Sequence, residues 1–241
     1  MRIQVVDDAD ELGRVGADIA ADVIAATPKA SVVAATGRTP MGLYAELAAR
    51  GRSGALDTTA ISAVQLDEYL GLEPDDRRSL FGWMRRSFLE PLGVSDGRVI
   101  RLPLGGDLEE ACAAFDRGLE ARGPFDLAIL GLGRNGHLGF NEPPSHPESS
   151  TRMVELSPST IEANARYWGN GADVPARAVT LGMRHLLSAR AIVLVVSGTS
   201  KRAIVHRALE GPVGPAVPAS FLQEAANEVT VIVDRAAWAD R

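Results

Sequence analysis

The stretch SVVAATGRTPMGLYAELAAR, residues 31–50, changes its periodicity halfway along. Residues 31–35 are a short, nearly unbroken run of small and β-branched side chains, which suits a strand buried on both faces. From Met41 to Ala49 apolar residues recur every three or four positions, which is the spacing of a helix face. Between the two lies Thr36-Gly37-Arg38-Thr39-Pro40, where Thr39 is placed to cap the helix and Pro40 to take its first position. Strand, glycine-containing turn and helix make one βα unit. The free amides at the helix start, the bare Gly37, two hydroxyls and the Arg38 guanidinium also suit an anion such as phosphate. Taken alone, the same residues suit an ordinary β-to-α turn.

The unit recurs along the chain in both directions. Strands are expected at 3–6, 31–35, 61–66, 126–131, 192–197 and 229–233, and helices at 9–26, 41–49, 108–122 and 200–210. This alternation predicts an α/β fold with a mostly parallel sheet and helices on both faces. No repeat, low-complexity tract or linker divides the chain, so residues 1–241 are read as one domain.

Composition narrows the functional classes. With 46% hydrophobic and 23% charged residues, the chain has the balance of a soluble globular protein. Its longest wholly apolar run, residues 191–196, falls far short of the roughly 20 residues that span a bilayer. The N-terminus turns acidic at once, so no membrane association and a cytoplasmic location are expected. A formal net charge of -6 gives no general attraction to a phosphodiester backbone, and nucleic acid is not an expected partner. The single cysteine, Cys112, excludes an internal disulfide and reads as a buried thiol on a helix. His137, His146, His185 and His206 show no metal-binding spacing, so no metal is expected.

Four segments carry candidate chemistry. The first is the 36–40 turn. In Gln65-Leu66-Asp67-Glu68-Tyr69, two acids follow a strand, at the sheet edge where open α/β folds bind ligands. Asp67, nearest the strand, is the candidate general base, and Glu68 reads as a solvated acid. The run from Gly131 to Gly136 matches the dinucleotide pattern G-x-G-x-x-G, but the chain continues into a loop with three prolines at 141–147 where that pattern requires a helix. A nucleotide cofactor is therefore not expected, and His137 with Glu142 remains as an acid/base pair. Arg166 and Lys201, the latter after the apolar run at 192–196, add cationic candidates.

In order and spacing, TGRTPMGLY (36–44), LDEYLGL (66–72), LGLGRNGHLGFNEP (130–143), ANARYW (163–168) and SGTSK (197–201) resemble the glucosamine-6-phosphate deaminase/isomerase family, which includes galactosamine-6-phosphate deaminases. The resemblance spans nearly the whole chain. It implies a modified doubly wound, Rossmann-like sheet and conversion of a hexosamine 6-phosphate to a ketohexose 6-phosphate and ammonia without a cofactor. It further implies that Asp67 moves a proton between C2 and C1, and that His137 with Glu142 opens the sugar ring. Thr36, Gly37, Arg38, Thr39, Arg166 and Lys201 would hold the phosphate.

Asn135 stands where the glucosamine-type pattern has aspartate, so the loop is closer to the galactosamine branch. Asparagine cannot take a proton as aspartate does, which leaves ring opening to His137 and Glu142 or points to another sugar phosphate. The basic pair that follows the loop in allosteric relatives is broken, since Arg152 is present but Val154 takes the place of its partner. Family members range from monomers to hexamers, so a homo-oligomer is compatible with the resemblance. The neighbouring enzyme class is a 6-phosphogluconolactonase, and a non-catalytic sugar-phosphate sensor is the alternative outside enzymes.

Overall fold

Side chains of a strand point alternately to its two faces, and both faces of the main sheet are covered. A computed structural model describes residues 1–73, 76–169 and 173–239. The first half runs β1 (Arg2–Val6), α1 (Ala9–Ala26), β2 (Ser31–Ala34), α2 (Met41–Ser53), β3 (Ser62–Gln65), β4 (Asp67–Tyr69), α3 (Leu80–Met84), α4 (Glu90–Leu92) and β5 (Val99–Ile100). There follow α5 (Leu108–Glu120), β6 (Leu127–Gly131), β7 (Arg152–Glu155), α6 (Pro158–Trp168) and β8 (Arg177–Thr180). The chain closes with α7 (Met183–Leu187), β9 (Ala191–Val196), α8 (Arg202–Leu209), β10 (Glu228–Asp234) and α9 (Arg235–Trp238).

Seven strands form one parallel sheet in the order β1-β10-β9-β6-β2-β3-β5. Along β9, Ile192, Leu194 and Val196 pack on one face with α7, α8 and α9, whereas Ala191, Val193 and Val195 pack on the other with α1 and α2. This is the expected doubly wound arrangement. Cys112 is buried, as its helical setting predicts. Among the described residues no helix is long and apolar enough to cross a membrane.

Three departures from the sequence reading matter for the site. The expected strand 61–66 ends at Gln65, and Asp67–Tyr69 leaves the sheet as β4. There it joins a second, antiparallel sheet, β4-β8-β7, that the βα rhythm does not predict. Leu181 donates its amide to the Leu66 carbonyl at 2.8 Å, so the switch between sheets falls on one residue. Thr39 does not cap α2: Pro40 takes the N-cap position, with no side-chain hydrogen bond. The expected helix at 200–210 begins as a 3₁₀ turn, Thr199–Lys201, and α8 follows it.

Candidate active site

Strand β2 leads outward to β3, whereas β6 leads the opposite way to β9, so the winding reverses between the neighbours β2 and β6. Such a switch point leaves a crevice at the C-terminal ends of the strands. A cavity of about 900 Å³ opens there. Thr36, Gly37, Arg38 and Thr39 line it from the end of β2, Asp67 from β4, His137 from beyond β6, Arg166 from α6 and Lys201 from beyond β9. Asn135 and Glu142 do not line it; they stand behind His137.

One side of the cavity is cationic. The 197–201 turn is held by Asp234, whose carboxylate accepts from Ser197 Oγ at 2.5 Å and from the Gly198 amide at 3.1 Å. Gly198 has φ 94°, a left-handed conformation open chiefly to glycine. Lys201 projects from this turn and donates through Nζ to the Leu132 carbonyl. Burial, with Arg134 and Arg166 nearby, lowers its pKa to about 8. Among the described residues neither Arg134 nor Arg166 has a carboxylate within ion-pair distance. A local excess of positive charge in a chain of net charge -6 marks this side for an anion.

The acids after β3 have separate fates. Asp67 is buried at the cavity wall, and burial followed by the charge of Glu68 pushes its carboxyl up to about 8. A carboxyl raised this far is suited to taking and returning a proton near neutral pH. Glu68 is not the solvated acid its sequence suggests, being 2% exposed. Its two oxygens accept from the amides of Tyr69, Leu80 and Phe81 at 2.8–2.9 Å and from Gln65 Nε2 at 3.0 Å. It ties the start of α3 to β4.

His137 lies directly against Gly133. A Cβ built at Gly133 would come within 2.4 Å of three imidazole atoms, so the glycine makes room for the ring instead of a dinucleotide. His137 Nδ1 is 3.6 Å from Glu142 Oε2. Burial pushes the Glu142 carboxyl up, but the hydrogen bond and charge of His137, with further hydrogen bonds from Thr160 and Asn135, bring it down to about 2. Asn135 donates to Glu142 Oε2 at 2.5 Å and accepts from the His137 amide at 3.3 Å. The proline-rich loop is buried at its start: Asn141 donates to the carbonyls of Leu138 and Leu181, both at 2.9 Å, and accepts from Arg152. Arg152 also donates to Ser145 Oγ at 2.9 Å, so it braces this loop from within the chain.

Helix α6 roofs the cavity and has no counterpart among the expected helices. Asn164 donates to Tyr69 Oη at 2.9 Å, and Trp168 meets the Tyr69 ring edge-on at 5.3 Å between centroids. Tyr167 packs edge-on against Trp83, which also lines the cavity. At the helix start, Ser157 accepts from the Thr160 amide, and its own amide points to Glu142 Oε1 at 3.4 Å. A serine N-cap followed by Pro158 is a helix-start signal that the narrow apolar face of 158–168 hides.

The family model for glucosamine-6-phosphate isomerases/6-phosphogluconolactonase matches residues 7–231, the greater part of the chain. The chain belongs to this family. Curated family relatives include the glucosamine-6-phosphate deaminases of Streptomyces coelicolor, 41% identical with 98% of this chain and 91% of that one covered, and of Halothermothrix orenii, 36% identical with 98% of each covered. A solved structure of a monomeric glucosamine-6-phosphate deaminase is 37% identical, superposes with a TM-score of 0.93 and covers 98% of both chains. The 6-phosphogluconolactonase from Trypanosoma brucei, at 21% identity and a TM-score of 0.77, shares the family fold.

Proposed function

We propose that the protein is a hexosamine-6-phosphate deaminase that isomerises its substrate and releases ammonia. One juxtaposition carries this reading: a proton-exchanging carboxyl, Asp67, and an imidazole backed by a carboxylate, His137, share a cavity whose other side is cationic. The near-full-length deaminase relatives support it.

The chemistry follows from what each group can do. Lys201 and Arg166, with the amides and hydroxyls of the 36–39 turn, hold the phosphate. His137, with Glu142 behind it, takes the proton of the anomeric hydroxyl and returns one to the ring oxygen, opening the ring to the aldehyde. Asp67 removes the proton on C2 and delivers it to C1, while the aldehyde oxygen gains a proton and the amine gives one up, which leaves a hydroxyl on C1 and an imine at C2. Water adds to that carbon and ammonia departs, giving the ketohexose phosphate. Substrate plus one water balances product plus ammonia, and no electrons leave the sugar.

The test is ammonia release from glucosamine 6-phosphate and galactosamine 6-phosphate by the purified protein. Both epimers belong in it, because Asn135 departs from the glucosamine-type pattern while the relatives carry the glucosamine name. Acid release from a 6-phosphosugar lactone without ammonia from either epimer refutes the reading.

A further inference from the structure

Helix α6 joins the two halves of the site. Its last turn carries Arg166 into the cavity, and its first turn reaches the residues behind His137. Thr160, in that first turn, is 4% exposed. Its Oγ1 lies 3.4 Å from His137 Nδ1, closer than Glu142 Oε2 at 3.6 Å. The same hydroxyl accepts from Ser157 Oγ at 3.2 Å. Ser157 Oγ in turn accepts from Asn135 Nδ2 at 3.3 Å.

The Glu142 carboxylate beside His137 only accepts, and the Thr160 hydroxyl, accepting from Ser157, keeps a second lone pair for the ring. The ring nitrogen that faces both that lone pair and the carboxylate is the one matched by an N–H. We propose that Thr160 is a positioning residue, whose hydroxyl accepts from His137 Nδ1–H beside the Glu142 carboxylate and so leaves Nε2 as the ring nitrogen that accepts a proton. A side chain behind a histidine sets its tautomer and ring orientation in this way. The consequence is that the helix holding the phosphate also sets the protonation geometry of the ring-opening pair.

The inference rests on the proposed activity for its kinetic consequence but not for its structural one. Nitrogen NMR of the His137 ring in the free protein, at a pH where the ring is neutral, is expected to show hydrogen on Nδ1. Hydrogen on Nε2 in the wild type overturns the proposal outright. In Thr160→Val, which keeps the branched shape without the hydroxyl, the tautomer is expected to become mixed. The kcat for hexosamine 6-phosphate should fall by about ten- to hundredfold with KM within twofold. Thr160→Ser should restore both readouts, and Thr160→Ala serves as a second hydroxyl-free variant if the valine form does not fold. An unchanged tautomer in the hydroxyl-free protein refutes the role whatever the kinetics show. If the wild type releases no ammonia, the functional reading fails while the tautomer comparison still decides the place of Thr160.

Discussion

Asn135 Nδ2 and Glu142 Oε2 are 2.5 Å apart, so the residue standing where the glucosamine-type pattern has aspartate is a hydrogen-bond donor to the carboxylate behind His137. The donated bond helps hold Glu142 ionised, and it adds no second negative charge to the cluster.

Asn135→Asp replaces that donor with a carboxylate. Two acids at hydrogen-bond distance resist joint ionisation, and the added negative charge favours protonated imidazole. The pH dependence of the ring-opening step is expected to change, with KM for the phosphorylated substrate within twofold. Ring-opening rates measured across pH on both epimers check this; an unchanged profile separates Asn135 from ring opening.

Asp67→Asn is expected to lower kcat by about 10²–10⁴-fold, because an amide of the same size cannot accept the C2 proton. Its stability should move the other way. Native Asp67 binds its proton below about 8, but in the unfolded chain the group titrates near 3.8. The wild type therefore loses stability as pH rises from about 4 through about 8, and the amide does not. Urea unfolding at pH 6 and pH 9 should show the variant's advantage growing to about 1–3 kcal/mol at the higher pH.

The pH dependence of kcat/KM in the wild type should be a bell with its maximum near 8. Asp67 must be ionised to act as base, Lys201 must be charged to hold phosphate, and both titrate at about 8 in the free protein. Lys201→Arg should extend the alkaline side, since a guanidinium stays charged there. An alkaline limb unchanged by this substitution would assign it to another group.

Lys201→Ala and Arg166→Ala should each raise KM for the phosphorylated hexosamine by about tenfold or more, through loss of charge-assisted hydrogen bonds. The unphosphorylated sugar lacks the group they hold, so its weak turnover should change by less than twofold. Equal losses on both sugars would remove these residues from the phosphate site.

Asp116 is a stability residue outside the cavity. It is 2% exposed and accepts from Arg184 at 2.8 Å, His185 Nε2 at 2.9 Å and the Thr151 amide at 3.0 Å. Burial raises its carboxyl, but the hydrogen bond and charge of His185, with the hydrogen bonds of Thr151, outweigh it and hold the pKa below the ordinary value. Its stabilising contribution is present above the ordinary carboxylate range and is lost as pH falls through the lowered value. Asp116→Ala is expected to cost about 3–5 kcal/mol in urea unfolding at pH 7, with kcat retained below the melting range.

The sequence by itself determined the parallel sheet and the position of its loops, because a strand buried on both faces and the turn after it are written in adjacent residues. The turns at 36–40 and 197–201, and the loop carrying His137, are legible for that reason. Tertiary structure decided what depends on contacts between distant segments. The strand stops at Gln65, and the next carbonyl, that of Leu66, accepts from Leu181 far along the chain. Glu68 looks like a surface acid until α3 presents two amides to it. Thr160 meets His137 across 23 residues, and that contact exists only once α6 is seated over the cavity. Periodicity records which side of an element is buried, but a hydrogen bond between side chains so far apart leaves no period to read.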